Sequence, residues 1–211
     1  MMSTTFYYAP MSTASTVLWT LTELDIPYEG VRVNLRDEAD KKAKLGPVNP
    51  NLKVPVLVHD GAVIFESAAI QMYLGETFGT ERGVYPAAGP KRGLAMKWLV
   101  WANVTLAEAV IRWQRNVKEW GPAEERNALA GERARGEVND MIAMLEVELT
   151  AKQYLVGDAF SLADLHLVSI LEWAGHCGAP LAKYPKVSAW MARCASRPSH
   201  AKAESLEHTP A

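Results

Sequence analysis

The sequence of 211 residues has only two cysteines, Cys177 and Cys194. Two are too few for a disulfide framework or for a metal site built from cysteine alone, so the sequence favours a reducing compartment. Neither sign of charge is in excess, since 22 basic and 24 acidic residues give a formal net charge of −2. This balance disfavours electrostatic binding of nucleic acid or of an anionic membrane surface. The five histidines are scattered without the spacing of helical metal ligands, and the sequence predicts no metal site.

The N-terminal segment has no charged side chain before Glu23. Nine serines and threonines and Pro10 interrupt its first 22 residues, and there is no basic leader followed by a compact apolar run. A membrane-spanning helix needs about 20 predominantly apolar residues. We therefore expect a strand, a loop and a helix here, no membrane association, and a cytoplasmic protein.

The first 79 residues alternate between strand and helix patterns. Strands are predicted at Thr5–Tyr8, Tyr28–Val33, Val56–Val58 and Ala62–Phe65, the last two joined by the hairpin signal Asp60-Gly61. Helical patterns begin near Ser12, cover Asp37–Leu45, and run from Ala68 to about Thr77. The resulting order βαβαββα predicts a mixed sheet of four strands, because a parallel crossover is followed by a hairpin.

The sequence changes character after a linker at 80–89 that contains Gly83, Pro86 and Gly89. Residues 90–211 show no strand pattern and carry six of the seven tryptophans, and they are predicted to form an all-helical second domain. Four long helical segments are expected there: Pro90–Trp120, a segment containing Val138–Leu149, Ser161–Gly175, and Pro185–Ala195. Gly121-Pro122 is expected to end the first of them.

The loop before the first helix contains Pro10-Met11-Ser12-Thr13. A hydroxyl at a helix N-terminus can bind an anion together with the free N–H groups, or can simply cap the helix. No G-x-S-x-G motif surrounds Ser12 and no histidine occurs in the first 58 residues, so Ser12 is not predicted to be a covalent nucleophile.

Two further motifs can bind a ligand or serve the fold alone. Val54-Pro55 begins a strand, and a cis bond there would leave the Val54 backbone free to pair with an extended ligand, although a trans bond is commoner. Glu66-Ser67 opens a helix and can hold a carboxylate or act only as a helix start. Ser161-Leu162-Ala163-Asp164 fits a capping box, for which a structural role is expected.

These motifs, in this order and on this domain pattern, resemble the cytosolic glutathione transferases over nearly the whole chain. The matching segments are Tyr7–Ser12, Asn49–Leu57, Phe65–Ser67 and Tyr154–Asp164. The resemblance implies a thioredoxin-like glutathione-binding domain, a helical-bundle C-terminal domain, a homodimer, and glutathione as co-substrate.

The resemblance also assigns roles to individual residues. Ser12 matches the serine that stabilises the glutathione thiolate, with Thr13 and the strand residues Tyr7 and Tyr8 as alternatives. Val54 precedes the cis-proline position Pro55 and pairs with the cysteinyl part of glutathione, while Glu66 and Ser67 match the pair that holds its γ-glutamyl end. Lys53, and less securely Lys41, are expected to meet the glycyl carboxylate.

The sequence says least about the binding site of the second substrate. A pocket for a small hydrophobic electrophile is expected from residues of the catalytic loop and of the first long helix: Met11, Trp101, Thr105, Arg112 and Trp113. The sequence predicts a glutathione transferase. It leaves open a glutathione-dependent isomerase, dehalogenase or ether-cleaving enzyme on the same fold, and a non-catalytic glutathione-binding member.

Overall fold

The computed structural model describes residues 3–117 and 122–208. The chain forms two compact units, one made of residues up to Gly89 together with those from Ala195 onward, and the other made of Pro90–Cys194. The sequence instead assigned everything after residue 89 to a second domain. The difference arises from the last helix, which bonds to the first helix of the sheet-containing unit.

The first unit contains a four-stranded mixed sheet, as predicted. Its strands are β1 (Thr4–Tyr8), β2 (Glu29–Arg32), β3 (Val56–His59) and β4 (Ala62–Phe65), in the spatial order β2-β1-β3-β4. β1 runs parallel to β2 and antiparallel to β3, and β3 runs antiparallel to β4. The β3–β4 hairpin turns at Asp60 and Gly61, whose φ angles of 47° and 82° are those that a tight two-residue turn requires.

Four helices belong to this unit: α1 (Ala14–Glu23), α2 (Glu38–Leu45), α3 (Ser67–Leu74) and α9 (Pro198–His208). α2 begins where the Asp37 carboxylate accepts the N–H groups of Ala39 and Asp40. α1 and α3 are joined by the buried amide of Gln71, which accepts from the Thr20 hydroxyl at 2.6 Å and donates to the Thr16 carbonyl at 2.9 Å. A π-helical turn, Gly75–Gly79, follows α3 where a regular helix to Thr77 was predicted.

The side chains of β1 and β3 alternate between the two faces of the sheet. Tyr7 and Val56, which are paired in register, pack with Val33 of the loop after β2 and with Leu45 of α2. Phe6 and Leu57 are the next pair and point to the opposite face, where both are fully buried. Both faces of the sheet are therefore covered. The loops that connect the strands to other elements lie at the strand ends.

The second unit is helical: α4 (Pro90–Trp101), α5 (Glu108–Val117), α6 (Ala128–Glu148), α7 (Leu162–His176) and α8 (Pro185–Ala195). A π-helical segment, Ala102–Ala107, joins α4 to α5. The predicted end of the first long helix at Trp120 and the break at Gly121 lie outside the described residues. No helix was predicted at Pro198–His208, where the structure has α9.

The continuous helical stretch Pro90–Val117 is long and apolar enough to cross a membrane by length and composition. A core helix of a soluble protein passes the same test, and Ala95, Leu99 and Leu106 of this stretch are fully buried within the protein.

The N-terminus of α7 carries the predicted capping box. Asp164 Oδ2 accepts from both the N–H and the hydroxyl of Ser161, and its Oδ1 accepts from the Leu155 N–H at 2.8 Å and from Trp190 Nε1 at 3.0 Å. Burial raises the pKa of Asp164, while these four donors act in the opposite sense. Asp164 thus connects three segments of the second unit and serves its fold.

Candidate functional site

The register of the sheet brings the predicted glutathione-binding segments to one end. Tyr7 of β1 pairs with Val56 of β3, which in turn pairs with Phe65 of β4. β3 is antiparallel to both of its neighbours. The residues after β1, the residues before β3 and the residues after β4 therefore lie at the same end of the strands. Ser12, Val54 and Glu66-Ser67 lie in those three segments. The fold therefore gathers residues that are far apart in sequence at one strand-end surface.

Ser12 lies just before the N-terminus of α1 and is half-buried. Its hydroxyl donates to the Ala9 carbonyl at 2.7 Å and accepts from the Ala14 N–H at 3.2 Å. The serine thus orders the turn into the helix and also carries a hydroxyl proton that rotation would redirect to a ligand. Thr13, the alternative donor, occupies the helix N-cap position without a capping bond from its side chain.

The two tyrosines of β1 lie elsewhere. Tyr7 packs against the α2 face of the sheet with Val33, Leu45 and Val56. Tyr8 stacks on Phe6 with ring centroids 5.6 Å apart, and its ring edge would lie 3.3 Å from a Cβ placed on Gly30. Burial, and secondarily the proximity of Tyr8, raises the pKa of Tyr28. Tyr8 therefore belongs to the neighbourhood of β2.

Tyr8 also lines the wall of an open crevice of about 680 Å³ between the C-terminal end of α1, the start of β2 and α9. Its other walls include Thr22, Asp25, Tyr28 and Lys202, and none of the residues predicted to bind glutathione is among them. The lining of this crevice is thus distinct from the residues of the strand-end surface.

The peptide bond between Val54 and Pro55 is cis, which the sequence alone left open. Pro55 is buried and Val54 is half-buried at the start of β3. The loop that carries them is closed by Asn49, whose side-chain amide donates to the Lys53 carbonyl at 2.8 Å. Val54 lies directly before β3 and so belongs to the strand-end surface.

Three non-glycine residues with positive φ flank the predicted binding residues: Met11 at 57°, Leu52 at 52° and Glu66 at 72°. Each immediately precedes one of them, namely Ser12, Lys53 and Ser67. Such backbone conformations are uncommon for residues with a Cβ and concentrate at functional sites. This local strain at all three loops is a signal that the sequence did not reveal.

Ser67 is the first residue of α3 and is buried. Glu66 occupies the N-cap position but makes no capping bond with its side chain. The start of α3 therefore presents N–H groups and a hydroxyl, which together suit a carboxylate.

The two predicted lysines differ in their surroundings. Lys41 on α2 forms an ion pair with Glu38 at 2.5 Å, one turn away. Lys53 is exposed beside Val54 and has no ion pair within the described part of the chain. Of the two, Lys53 has the ammonium group available for a ligand carboxylate.

The residues predicted to bind an electrophile do not share one environment. Trp113 is buried, whereas Arg112 is exposed and pairs with Glu137 of α6. Trp101 and Thr105 are half-buried, and Met11, in the other unit, is 60% exposed. The π-helical segment Ala102–Ala107 changes the angular spacing between Trp101 and Arg112, and Arg112 pairs with Glu137, so the set of electrophile-binding residues stays a prediction.

Within the described residues, no group of three or more His, Cys, Asp or Glu side chains could hold a metal ion. Cys194 is buried and Cys177 is half-buried, both at positions that suit small packed side chains.

Comparison with known proteins places this architecture in a family. The model of the glutathione S-transferase N-terminal domain matches residues 2–76, and that of the C-terminal domain matches residues 114–198. The chain belongs to the glutathione S-transferase family. It is an enzyme of that family, as its relatives are, with the thioredoxin-like N-terminal domain and helical C-terminal domain that the sequence predicted.

Among its relatives, this glutathione S-transferase is similar to GstB of Escherichia coli strain K12, with 29% identity over 87% of this chain and 88% of that protein. It is also 29% identical to glutathione S-transferase U28 of Arabidopsis thaliana, over 85% of this chain and 78% of that protein.

Two solved structures extend the comparison. A sphingomonad glutathione S-transferase complexed with glutathione has 27% identity and a TM-score of 0.84, covering 98% of this chain and all of that one. A glutathione transferase of Methylococcus capsulatus has 26% identity and a TM-score of 0.85, covering 97% and 98%.

Proposed function

We propose that this transferase binds glutathione at the strand-end surface and uses its thiolate to attack a small hydrophobic electrophile. The observation that carries the proposal is the sheet register, which gathers Ser12, Val54 and Glu66-Ser67 at one end. The binding of glutathione by a structural relative supports it. As is typical of the family, we propose a cytoplasmic homodimer.

Activation of the thiol follows from elementary electrostatics. A free thiol has a pKa of about 8.5, so little of it is ionised at neutral pH. A hydrogen bond donated by Ser12, together with the positive end of the α1 dipole, stabilises the thiolate and lowers the thiol pKa. Each unit of that lowering corresponds to about 1.4 kcal/mol of preferential stabilisation. In this proposal no protein side chain is the nucleophile, because the attacking sulfur belongs to glutathione.

The remaining groups hold the peptide in place. The backbone of Val54 pairs with the cysteinyl residue as a strand pairs with a sheet edge. The hydroxyl of Ser67 and the N–H groups at the start of α3 bind the γ-glutamyl carboxylate, and the Glu66 carboxylate binds the γ-glutamyl ammonium. Lys53 attracts the glycyl carboxylate. Fixing both ends of the tripeptide orients the sulfur, which lowers the entropic part of the barrier.

The proposed site for the electrophile is defined less precisely than the site for glutathione. Trp101 and Thr105 of the second unit have side-chain surface available for an apolar partner, and we retain them in the proposal. Arg112 is left out because Glu137 pairs with it. An electrophile without a negative charge is therefore the better match.

Calorimetric titration with glutathione tests the binding part. Glu66→Gln and Ser67→Ala are each expected to weaken binding about tenfold or more, since the first removes the charge that attracts the ammonium group and the second removes a hydrogen bond to a carboxylate. Glu81→Gln is the matched control, because Glu81 is exposed in the same unit and in no predicted site. Unchanged affinity in both site variants would refute the γ-glutamyl assignment.

Product analysis by mass spectrometry tests the reaction. With an aryl halide bearing nitro groups, conjugation forms a carbon–sulfur bond and releases halide. Isomerised, dehalogenated or ether-cleaved products without a retained glutathione group would favour another glutathione-dependent enzyme. Binding of glutathione without turnover of any electrophile would indicate a non-catalytic member.

A further inference from the structure

The last helix, α9, is bonded to α1 at its N-terminal end. Arg197 Nε lies 3.0 Å from Glu23 Oε2 at the C-terminal end of α1, and the Ser199 hydroxyl donates to the same carboxylate. One turn back along α1, Trp19 Nε1 donates to Ser199 at 3.0 Å, and the Trp19 ring meets the His200 ring edge-on at 4.5 Å. These contacts fix where α9 begins against α1.

The other end of α9 reaches the opposite end of α1. Glu207 Oε1 accepts a hydrogen bond from the Met11 N–H and another from the Ser15 hydroxyl, both at 2.7 Å. Met11 immediately precedes Ser12, and Ser15 lies in the first turn of α1. One carboxylate oxygen therefore ties the loop before Ser12 to the helix after it.

The loop needs such an external bond. Met11 has a φ of 57°, and its side chain is 60% exposed, so its own packing contributes little to holding that conformation. A residue with a Cβ remains in the left-handed region only when its surroundings fix it. The bond from its N–H to a carboxylate is charge-assisted and stronger than one to a neutral acceptor.

We infer that Glu207 is a positioning residue for the thiol-binding loop: by accepting from Met11 and Ser15 it fixes the direction in which Ser12 presents its hydroxyl. The inference rests on the proposed role of Ser12. Glu207 acts through the loop and does not itself touch the substrate. The C-terminal helix is thereby part of the glutathione site although it follows the whole helical unit in sequence.

The negative charge of Glu207 acts on a bound thiolate separately from the effect of Glu207 on the position of the loop. α1 carries no charged side chain before Glu23, and on α9 the preceding acid, Glu204, faces His200 at 3.8 Å. Of the aromatic hydroxyls of β1, Tyr7 is on the α2 face and Tyr8 lies beside β2. The Glu207 carboxylate is thus the nearest acid to the loop along these elements, and its negative charge opposes a thiolate bound there.

Two substitutions separate position from charge. Glu207→Gln keeps an acceptor oxygen for Met11 and Ser15 but removes the charge, whereas Glu207→Ala removes both. Glu204→Gln is the control, because it makes the same chemical change one turn earlier on the exposed side of α9. Circular dichroism and thermal melting establish that each variant is folded.

The first readout is amide hydrogen exchange of Met11 by NMR, which needs no ligand. Exchange is expected to accelerate about tenfold or more in Glu207→Ala, because the loss of a hydrogen bond to a charged acceptor opens the loop more often. It should increase less in Glu207→Gln, which keeps a weaker neutral acceptor, than in Glu207→Ala, and it should remain within about twofold of wild type in Glu204→Gln. Unchanged exchange in Glu207→Ala would overturn the inference.

The second readout is the thiol pKa of bound glutathione with its KM. Glu207→Ala is expected to raise KM for glutathione and to raise the thiol pKa, whereas Glu207→Gln should leave KM near wild type and hold the thiol pKa at or below the wild-type value. A glutamine variant as impaired as the alanine variant would contradict a positioning role. If wild type does not lower the thiol pKa, the proposed function fails, and Met11 exchange still decides whether Glu207 holds the loop.

Discussion

The Ser12 hydroxyl donates to the carbonyl oxygen of Ala9 at 2.7 Å, across the turn that leads from β1 into α1. The donor proposed for the thiolate is therefore held within its own loop until a stronger acceptor arrives. An anionic sulfur offers such an acceptor, because hydrogen bonds to charged groups are about twice as strong as neutral ones. In the proposed mechanism, rotation of this one hydroxyl moves its proton from the Ala9 carbonyl to the thiolate.

Substitution of the hydroxyl tests that exchange in the steady state. Ser12→Ala is expected to lower kcat/KM for conjugation at pH 7 by about tenfold to a hundredfold, the range of a hydrogen bond to a charged group. Thr13→Val, which removes the neighbouring hydroxyl, should change kcat/KM by less than about twofold, since that side chain makes no capping bond. The reverse pattern would transfer the role to Thr13.

Glu66 combines a proposed binding role with an unfavourable backbone, since its φ is 72° and its ψ is 115°. Glycine adopts such angles without steric cost. Glu66→Gly is therefore expected to raise the free energy of unfolding by about 1 kcal/mol while weakening glutathione binding. Urea unfolding and calorimetric titration measure the two effects. A variant that is less stable and binds normally would contradict both assignments.

Substitutions in the capping box of α7 are expected to lower the free energy of unfolding without acting directly on the candidate site. Ser161→Ala should cost about 0.5–2 kcal/mol of unfolding free energy, as for other N-cap serines. Asp164→Ala should cost more than about 3 kcal/mol, because four buried donors lose their acceptor. Chemical unfolding with urea compares the two. An Asp164→Ala variant that is no less stable than Ser161→Ala would show that the aspartate does not join these segments.

The buried side chain of His166 is expected to make the protein less stable at acidic pH. Its side chain is fully buried, its Nε2 lies 2.7 Å from Asn103 Oδ1, and burial lowers its pKa to about 3. The unfolded chain, with a histidine pKa near 6.5, takes up the proton first as the pH falls. The stabilisation is thus complete above pH 6.5 and decreases below it, by about 2 kcal/mol at pH 5.

Comparing wild type with His166→Gln isolates this contribution, since the other titrating groups are common to both. Unfolding free energies at pH 7.5, 6 and 5 are expected to decrease more steeply for wild type. Parallel curves would mean that His166 does not remain neutral in the folded protein.

Local patterns were sufficient for most of the fold. The hairpin at Asp60-Gly61, the short helix that ends at Leu45 and the helix Pro185–Ala195 all depend on nearby residues, and the structure has them where the sequence predicts them. The π-helical segment at Ala102–Ala107 was not predicted, because a pattern search assumes 3.6 residues per turn.

The candidate site, like the fold, contains some residues that local sequence patterns predict and others that they do not. Ser12, Val54 and Glu66-Ser67 belong to short motifs that the sequence makes visible. Glu207 does not, since its bond to Met11 joins residues 196 positions apart, and no local pattern distinguishes it from other helical acids. The cis bond at Pro55 and the positive φ of Met11 depend likewise on tertiary surroundings.

The central claim is that this protein lowers the thiol pKa of glutathione through Ser12. The most direct test is a pH titration of bound glutathione by ultraviolet difference absorbance of the thiolate, for wild type and Ser12→Ala. We expect a thiol pKa well below the free value of about 8.5 in wild type and a return toward that value in the variant. A lowered thiol pKa that persists in Ser12→Ala would contradict it.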